Sequence, residues 1–105
     1  MAASVVVCKF DELPDGQVKR FMANGKAVAI VRFGEEVYAI SDTCSHANYA
    51  LSEGEVFPDE RSIECFKHGS AFSLRTGMAM NLPATRPVPV YEVERRGDEI
   101  AVVIP

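Results

Sequence analysis

The sequence predicts an all-β domain of antiparallel sheets, a β-sandwich or partly open barrel with a small subdomain inserted into it. Three observations point there. Every apolar run is short and rich in β-branched residues, turn residues punctuate the chain at close intervals, and no stretch carries a helical period. With 105 residues the chain is expected to form a single domain, 1–105, near the size where one core suffices with little to spare. Hydrophobic residues are 48% and charged residues 25%, a globular composition that argues against disorder.

Val5-Val6-Val7-Cys8-Lys9-Phe10 opens the chain as a strand, too short and too β-branched for a typical helix. Cys8 inside it reads as a small buried hydrophobe. Leu13-Pro14-Asp15-Gly16 supplies turn chemistry. Asn24-Gly25 then joins Arg20-Phe21-Met22-Ala23 to Ala27-Val28-Ala29-Ile30-Val31, a strong hairpin signal because both turn residues accept positive φ. Gly34-Glu35 leads into Val37-Tyr38-Ala39-Ile40, which delivers the chain to Ser41-Asp42-Thr43-Cys44.

From Ser41 to about Ala84 the alternation weakens, and this region is expected to be the inserted subdomain. Ser62-Ile63-Glu64-Cys65 and Ala71-Phe72-Ser73-Leu74 are short strands whose connection is a hairpin tip. The acidic segment Glu53–Glu60 reads as a solvated loop face, with docking as an alternative role. Pro83, Pro87 and Pro89 disfavour a central strand and predict an extended crossover. The β pattern resumes at Tyr91-Glu92-Val93-Glu94-Arg95 and, after Gly97-Asp98, at Ile100-Ala101-Val102-Val103-Ile104.

Chemistry concentrates between Cys44 and His68. Cys44-Ser45-His46, eighteen residues, then Cys65-Phe66-Lys67-His68 hold both histidines and two of the three cysteines of the chain. Each arm offers one thiolate and one imidazole. Two facing loops of this kind can give both cysteines to one iron and both histidines to a second, the ligation of a Rieske [2Fe–2S] centre. A tetrahedral Cys₂His₂ zinc module is the competing reading, although zinc sites typically pair Cys with Cys and His with His, whereas both arms here are mixed. A thiol–imidazole nucleophile would leave one arm unexplained.

The two arms, with His68-Gly69-Ser70-Ala71-Phe72-Ser73-Leu74-Arg75-Thr76-Gly77 and Asn81-Leu82-Pro83-Ala84-Thr85, resemble the Rieske signature of small soluble ferredoxins, and the likeness runs over nearly the whole chain. The resemblance implies a Rieske-like fold with a cluster-binding subdomain at about 41–84 and one [2Fe–2S] cluster per chain. It implies Cys44, His46, Cys65 and His68 as the iron ligands. Around them it places Gly69, Ser70 as a donor to a cluster sulfur, Phe72, and Pro83 covering the cluster's flank.

Two ferric ions and two sulfides carry a net double positive charge, which two thiolates cancel and four would overturn. Adding an electron to a neutral centre costs less, so imidazole ligation raises the reduction potential. Phe72 stands where respiratory-type relatives carry a tyrosine, and Tyr49 and Lys67 stand where a disulfide would tie the loops. Both departures predict the low end of the Rieske range, about −150 mV.

No histidine remains to build a mononuclear iron site, and no dinucleotide motif is present, which excludes the oxygenase and the reductase as whole activities. The resemblance implies instead an electron carrier, not catalytic alone, between a flavin-dependent, NAD(P)H-oxidising ferredoxin reductase and a terminal non-haem iron oxygenase of the ring-hydroxylating or a related type. A redox factor for another pathway, such as iron–sulfur cluster assembly, keeps the same centre with different partners. A nitrite reductase small subunit is a further likeness, but such chains often lack the ligands that are all present here. Net charge is −4 with no basic cluster, so no nucleic acid is expected. No leader or membrane-length apolar stretch is evident, and a monomer in the cytoplasm is expected.

Overall fold

The computed structural model describes residues 3–43, 50–66, 69–81 and 86–104. The described elements are β1 (Ala3–Lys9), β2 (Val18–Ala23), β3 (Lys26–Phe33), β4 (Glu36–Ser41), β5 (Glu55–Phe57), β6 (Ser62–Glu64), β7 (Ala71–Ser73), β8 (Val90–Arg96) and β9 (Glu99–Ile104), with 3-10 turns at Phe10–Glu12 and Leu51–Glu53. Six strands form one antiparallel sheet in the order β1-β9-β8-β4-β3-β2, and its outer strands β1 and β2 come back into contact, so it curls into a half-barrel. The smaller sheet, β5-β6-β7, is built from chain between β4 and β8. The all-β antiparallel architecture expected from the sequence is the one observed.

Hairpin chemistry fixes the register. Asn24 (φ 51°) and Gly25 (φ 80°) form the two-residue turn that pairs Ala23 with Lys26. The join between β4 and β8 is short, with Ala39 opposite Tyr91 and Ile40 opposite Val90, and the Ser41 amide extends it by donating to the Pro89 carbonyl at 2.8 Å.

β3 is the wall between two cores. Because strand side chains alternate, Val28 and Ile30 face the half-barrel interior with Ala23, Ala39, Ile100, Val102 and Ile104. Ala29, Val31 and Phe33 face the other way, packing with Ile40, Leu51, Ile63, Phe72 and Leu74. Cover on both sides explains why this strand reads as an unbroken apolar run.

Several local expectations change. Phe10 leaves β1 and starts a 3-10 turn, buried with the guanidinium carbons of Arg95 and Arg32 at 3.8 and 4.1 Å from its ring centroid. The acidic segment Glu53–Glu60 is not all loop: β5 lies within it and pairs with β6 from Glu55 opposite Glu64 to Phe57 opposite Ser62. The strand is only three residues long and is flanked by Glu53, Asp59 and Glu60, which hides the pattern. Met78–Met80 also runs along β7, with Ser73 N–H donating to the Met78 carbonyl at 2.9 Å and Met80 N–H to the Ala71 carbonyl at 2.8 Å. Residues 87–89 form no strand, as the prolines predicted, and between Pro87 and Pro89 Val88 is buried in the second core while its amide donates to the Gly77 carbonyl at 2.8 Å. Among the described residues no helix is long and apolar enough to cross a membrane.

Candidate metal centre

Cys44, His46, His68 and Pro83 lie outside the described residues, so the structure speaks to the roots of both arms and to Cys65. The first arm leaves β4 at Asp42 and returns at Ala50, with Thr43 and Ala50 closing its neck as an isolated antiparallel bridge. Asp42 is 2% exposed and satisfies each polar group it brings inside. Its amide donates to the Ala27 carbonyl at 3.1 Å, and its carbonyl accepts from Leu51 at 2.6 Å. Its carboxylate accepts from the Ser52 amide at 2.7 Å and pairs with Arg20 Nε at 3.0 Å. One residue thereby ties the arm to β2, to β3 and to the 3-10 turn that follows.

The second arm is the tip of the β6–β7 hairpin, as its flanking strands predicted. Cys65 donates its amide to the Ser70 carbonyl at 2.7 Å, and its own carbonyl accepts from the Gly69 amide at 2.9 Å. The turn so formed puts Gly69 at φ +72°, a conformation that suits glycine, with open space where a Cβ would stand. Backbone conformation is therefore what requires Gly69. Ser70 is fully buried. Phe72 is fully buried too, in the same apolar cluster as Cys65, where a ring without a hydroxyl leaves no polar group to satisfy.

Leu51, which follows the first arm, belongs to one buried cluster with Cys65 and Phe72 of the second. The chain leaving the first arm and the root of the second thus meet in one cluster. Cys65 is fully buried and not in a disulfide, so a free thiol stands at the hairpin root. Cys8 cannot join it, being on the opposite side of the β3 wall in the half-barrel core, where burial first and Glu12 second push its thiol up to about 11. Its reading as a structural hydrophobe stands. With Cys8 in the other core, two cysteines and two histidines of the chain are left as donors of the expected kind. The donor chemistry present fits a mixed Cys/His cluster.

Sequence reasoning missed three residues that shape this region. Asp42 is one. Asn81 is another: its side chain accepts from the Ala71 amide at 2.6 Å and donates to the Gly69 carbonyl at 3.0 Å. Arg61 is the third, linking the smaller sheet to the framework through Glu36 at 2.8 Å and lying 5.0 Å from the Phe33 ring centroid. Hydrogen bonds from Arg61, then from Tyr38, hold the Glu36 carboxyl well below the usual range, at about 2. A short polar residue two places before Cys44 was the visible signal for Asp42. The other two had none, because their partners are distant in sequence or are backbone atoms.

A curled all-β framework whose two Cys/His arms are rooted on one apolar cluster is the architecture expected of a metal-cofactor domain. Residues 3–92 match the family model described as the Rieske [2Fe-2S] domain. The 3-phenylpropionate/cinnamic acid dioxygenase ferredoxin subunit of Escherichia coli (strain K12) is 37% identical over 101 residues, 96% of this chain and 93% of that protein. The solved ferredoxin of carbazole 1,9a-dioxygenase from Nocardioides aromaticivorans IC177 superposes with a TM-score of 0.93 at 40% identity, covering 95% of this chain and 96% of that one. A chain in the structure described as the complex of reduced oxygenase and oxidized ferredoxin in carbazole 1,9a-dioxygenase gives 0.86 at 38% identity, covering 94% and 91%.

The chain belongs to the Rieske [2Fe–2S] family, among ferredoxins of dioxygenase systems. It carries one Rieske cluster per chain and is an electron carrier, not catalytic alone. The zinc and nucleophile readings fall with that finding.

Proposed function

We propose that this protein shuttles single electrons from a flavin-dependent, NAD(P)H-oxidising ferredoxin reductase to a terminal non-haem iron oxygenase of the ring-hydroxylating or a related type, as a cytoplasmic monomer. The carrying observation is that Leu51, which follows the first arm, and Cys65 and Phe72 at the second lie in one buried apolar cluster, so the described roots of both arms share a base. In this reading the whole chain is one domain with a cluster-binding part at about 41–84. Cys44 and Cys65 hold one iron, His46 and His68 the other. Ser70 donates to a sulfur, Phe72 fills the base, and Pro83 shields the flank. When bound, the cluster supplies reversible one-electron chemistry.

The protein's own residues provide binding, shielding and a docking face. Phe66, 51% exposed, belongs to the second arm. A groove nearby is lined by Phe57, Glu60, Glu64, Ala71, Met80 and Asn81, mixing apolar surface with acid. An oxygenase face with apolar and basic residues complements it. Supporting the acceptor is the likeness to the ferredoxin whose complex with an oxygenase has been solved.

The test begins without dioxygen. Mixed with a ferredoxin reductase of this class and NAD(P)H, the holoprotein should bleach in the visible, and an oxygenase with its substrate and dioxygen, added next, should restore the bands faster than dioxygen alone. A chain that neither bleaches nor recovers with any such pair would refute the shuttle role.

A further inference from the structure

We infer that the Asn81 carboxamide is a positioning device that fixes Ser70, and through Ser70 the electron affinity of the centre. The inference rests on the reading of Ser70 as a sulfur donor. Three contacts hold the backbone around that residue. The Ser70 carbonyl accepts from the Cys65 amide at 2.7 Å on the hairpin side. On the other side, Asn81 Oδ1 accepts from the Ala71 amide at 2.6 Å, and Asn81 Nδ2 donates to the Gly69 carbonyl at 3.0 Å. Asn81 therefore grips both residues that flank Ser70.

Its place in the ladder explains why a side chain does this. The exit segment pairs with β7 through the Phe72–Ala79 bridge and the bond from Met80 to the Ala71 carbonyl. Beyond Ala71 the described main-chain pairing stops. An asparagine side chain carries a donor and an acceptor like a peptide unit, so it supplies one more rung where the described main-chain pairing ends. Aspartate could accept but not donate, and alanine could do neither. The rung matters because Gly69, at φ +72°, is the most permissive point of the arm, and its peptide plane is free to swing unless its carbonyl is held. Asn81 itself is exposed to water, which keeps its contribution to stability small. Its effect is on geometry.

Reduction potentials of holoprotein variants test this. Ser70→Ala should lower the midpoint, because a hydrogen bond to sulfur stabilises the reduced form. Asn81→Ala should lower it in the same direction, and the double variant should match Ser70→Ala alone, since two residues acting as a unit are non-additive. An Asn81→Ala midpoint equal to wild type, beside a lowered Ser70→Ala midpoint, overturns the positioning role and spares the Ser70 reading. An unshifted Ser70→Ala overturns both. Should Asn81→Ala not retain its cluster, hydrogen exchange of the wild-type holoprotein decides: the Ala71 amide should exchange at least tenfold more slowly than the Gly97 turn amide, and equal rates would remove the clamp.

Discussion

The two cores on either side of β3 are built by different means. The half-barrel core is made of strands of six to eight residues closing over Val28, Ile30, Ala39, Ile100, Val102 and Ile104, with Cys8 as its most polar member. The other core lies under strands of three residues and admits Asp42, Ser62 and Ser70 to full or nearly full burial. It depends on backbone passing close to backbone: an added Cβ on Gly54 would lie 1.7 Å from the Glu64 carbonyl oxygen, and one on Gly77 would lie 2.0 Å from that of Val88. Apolar burial holds the first. The second is a thin shell of short strands, glycine contacts and polar clamps, and metal ligation completes it, since the free energy of binding a centre is also free energy of folding.

The largest effects should separate the halves most cleanly. Ile30→Ala empties the half-barrel core and should cost about 2–5 kcal/mol of stability in apoprotein and holoprotein alike, read by denaturant unfolding. Ile63→Ala is the same deletion across the wall. It should leave the apoprotein transition nearly unchanged and weaken cluster retention instead. Equal losses from both in the apoprotein would erase the distinction.

Gly54→Ala should cost about 1–3 kcal/mol through overpacking and reduce cluster occupancy. Full occupancy with unchanged stability would mean that the contact relaxes freely. Redox poise should follow the lining of the smaller half. Phe72 brings no hydroxyl, so the midpoint should lie near −150 mV, about the low end of the Rieske range. A potential above roughly +100 mV would show another source of stabilisation for the reduced form.

The smallest effect concerns the bond between the halves. Glu36 has its carboxyl lowered from 4.5 to about 2 by Arg61 and Tyr38. A depressed acid stabilises the fold above its unfolded value and loses that contribution as pH falls through the folded one. Thermal stability should therefore decline between about pH 5 and pH 2. Glu36→Gln should melt below wild type near neutrality and converge with it as the pH drops. A constant gap across that window would assign the pair no role.

The same division decides what could be read from the sequence. The framework strands and their turns at Asn24-Gly25 and Gly97-Asp98 were legible because period-two alternation and turn chemistry are local. The arms were legible because Cys and His are rare and their spacing carries chemistry. β5 was hidden by Glu53, Glu55, Asp59 and Glu60, which read as a solvated loop on a segment too short to show alternation. Asn81 and Asp42 clamp backbone atoms, and Arg61 meets Glu36 across twenty-five residues of chain, so none leaves a periodic trace.

The ligand assignment is tested most directly by labelling histidine with nitrogen-15 and measuring hyperfine coupling on the reduced centre. Two coupled imidazole nitrogens, one of them lost in His68→Ala, together with two irons and two sulfides per chain, are the predicted result. A reduced centre without histidine coupling, or a chain that takes up no iron and sulfide when both are supplied, would contradict it.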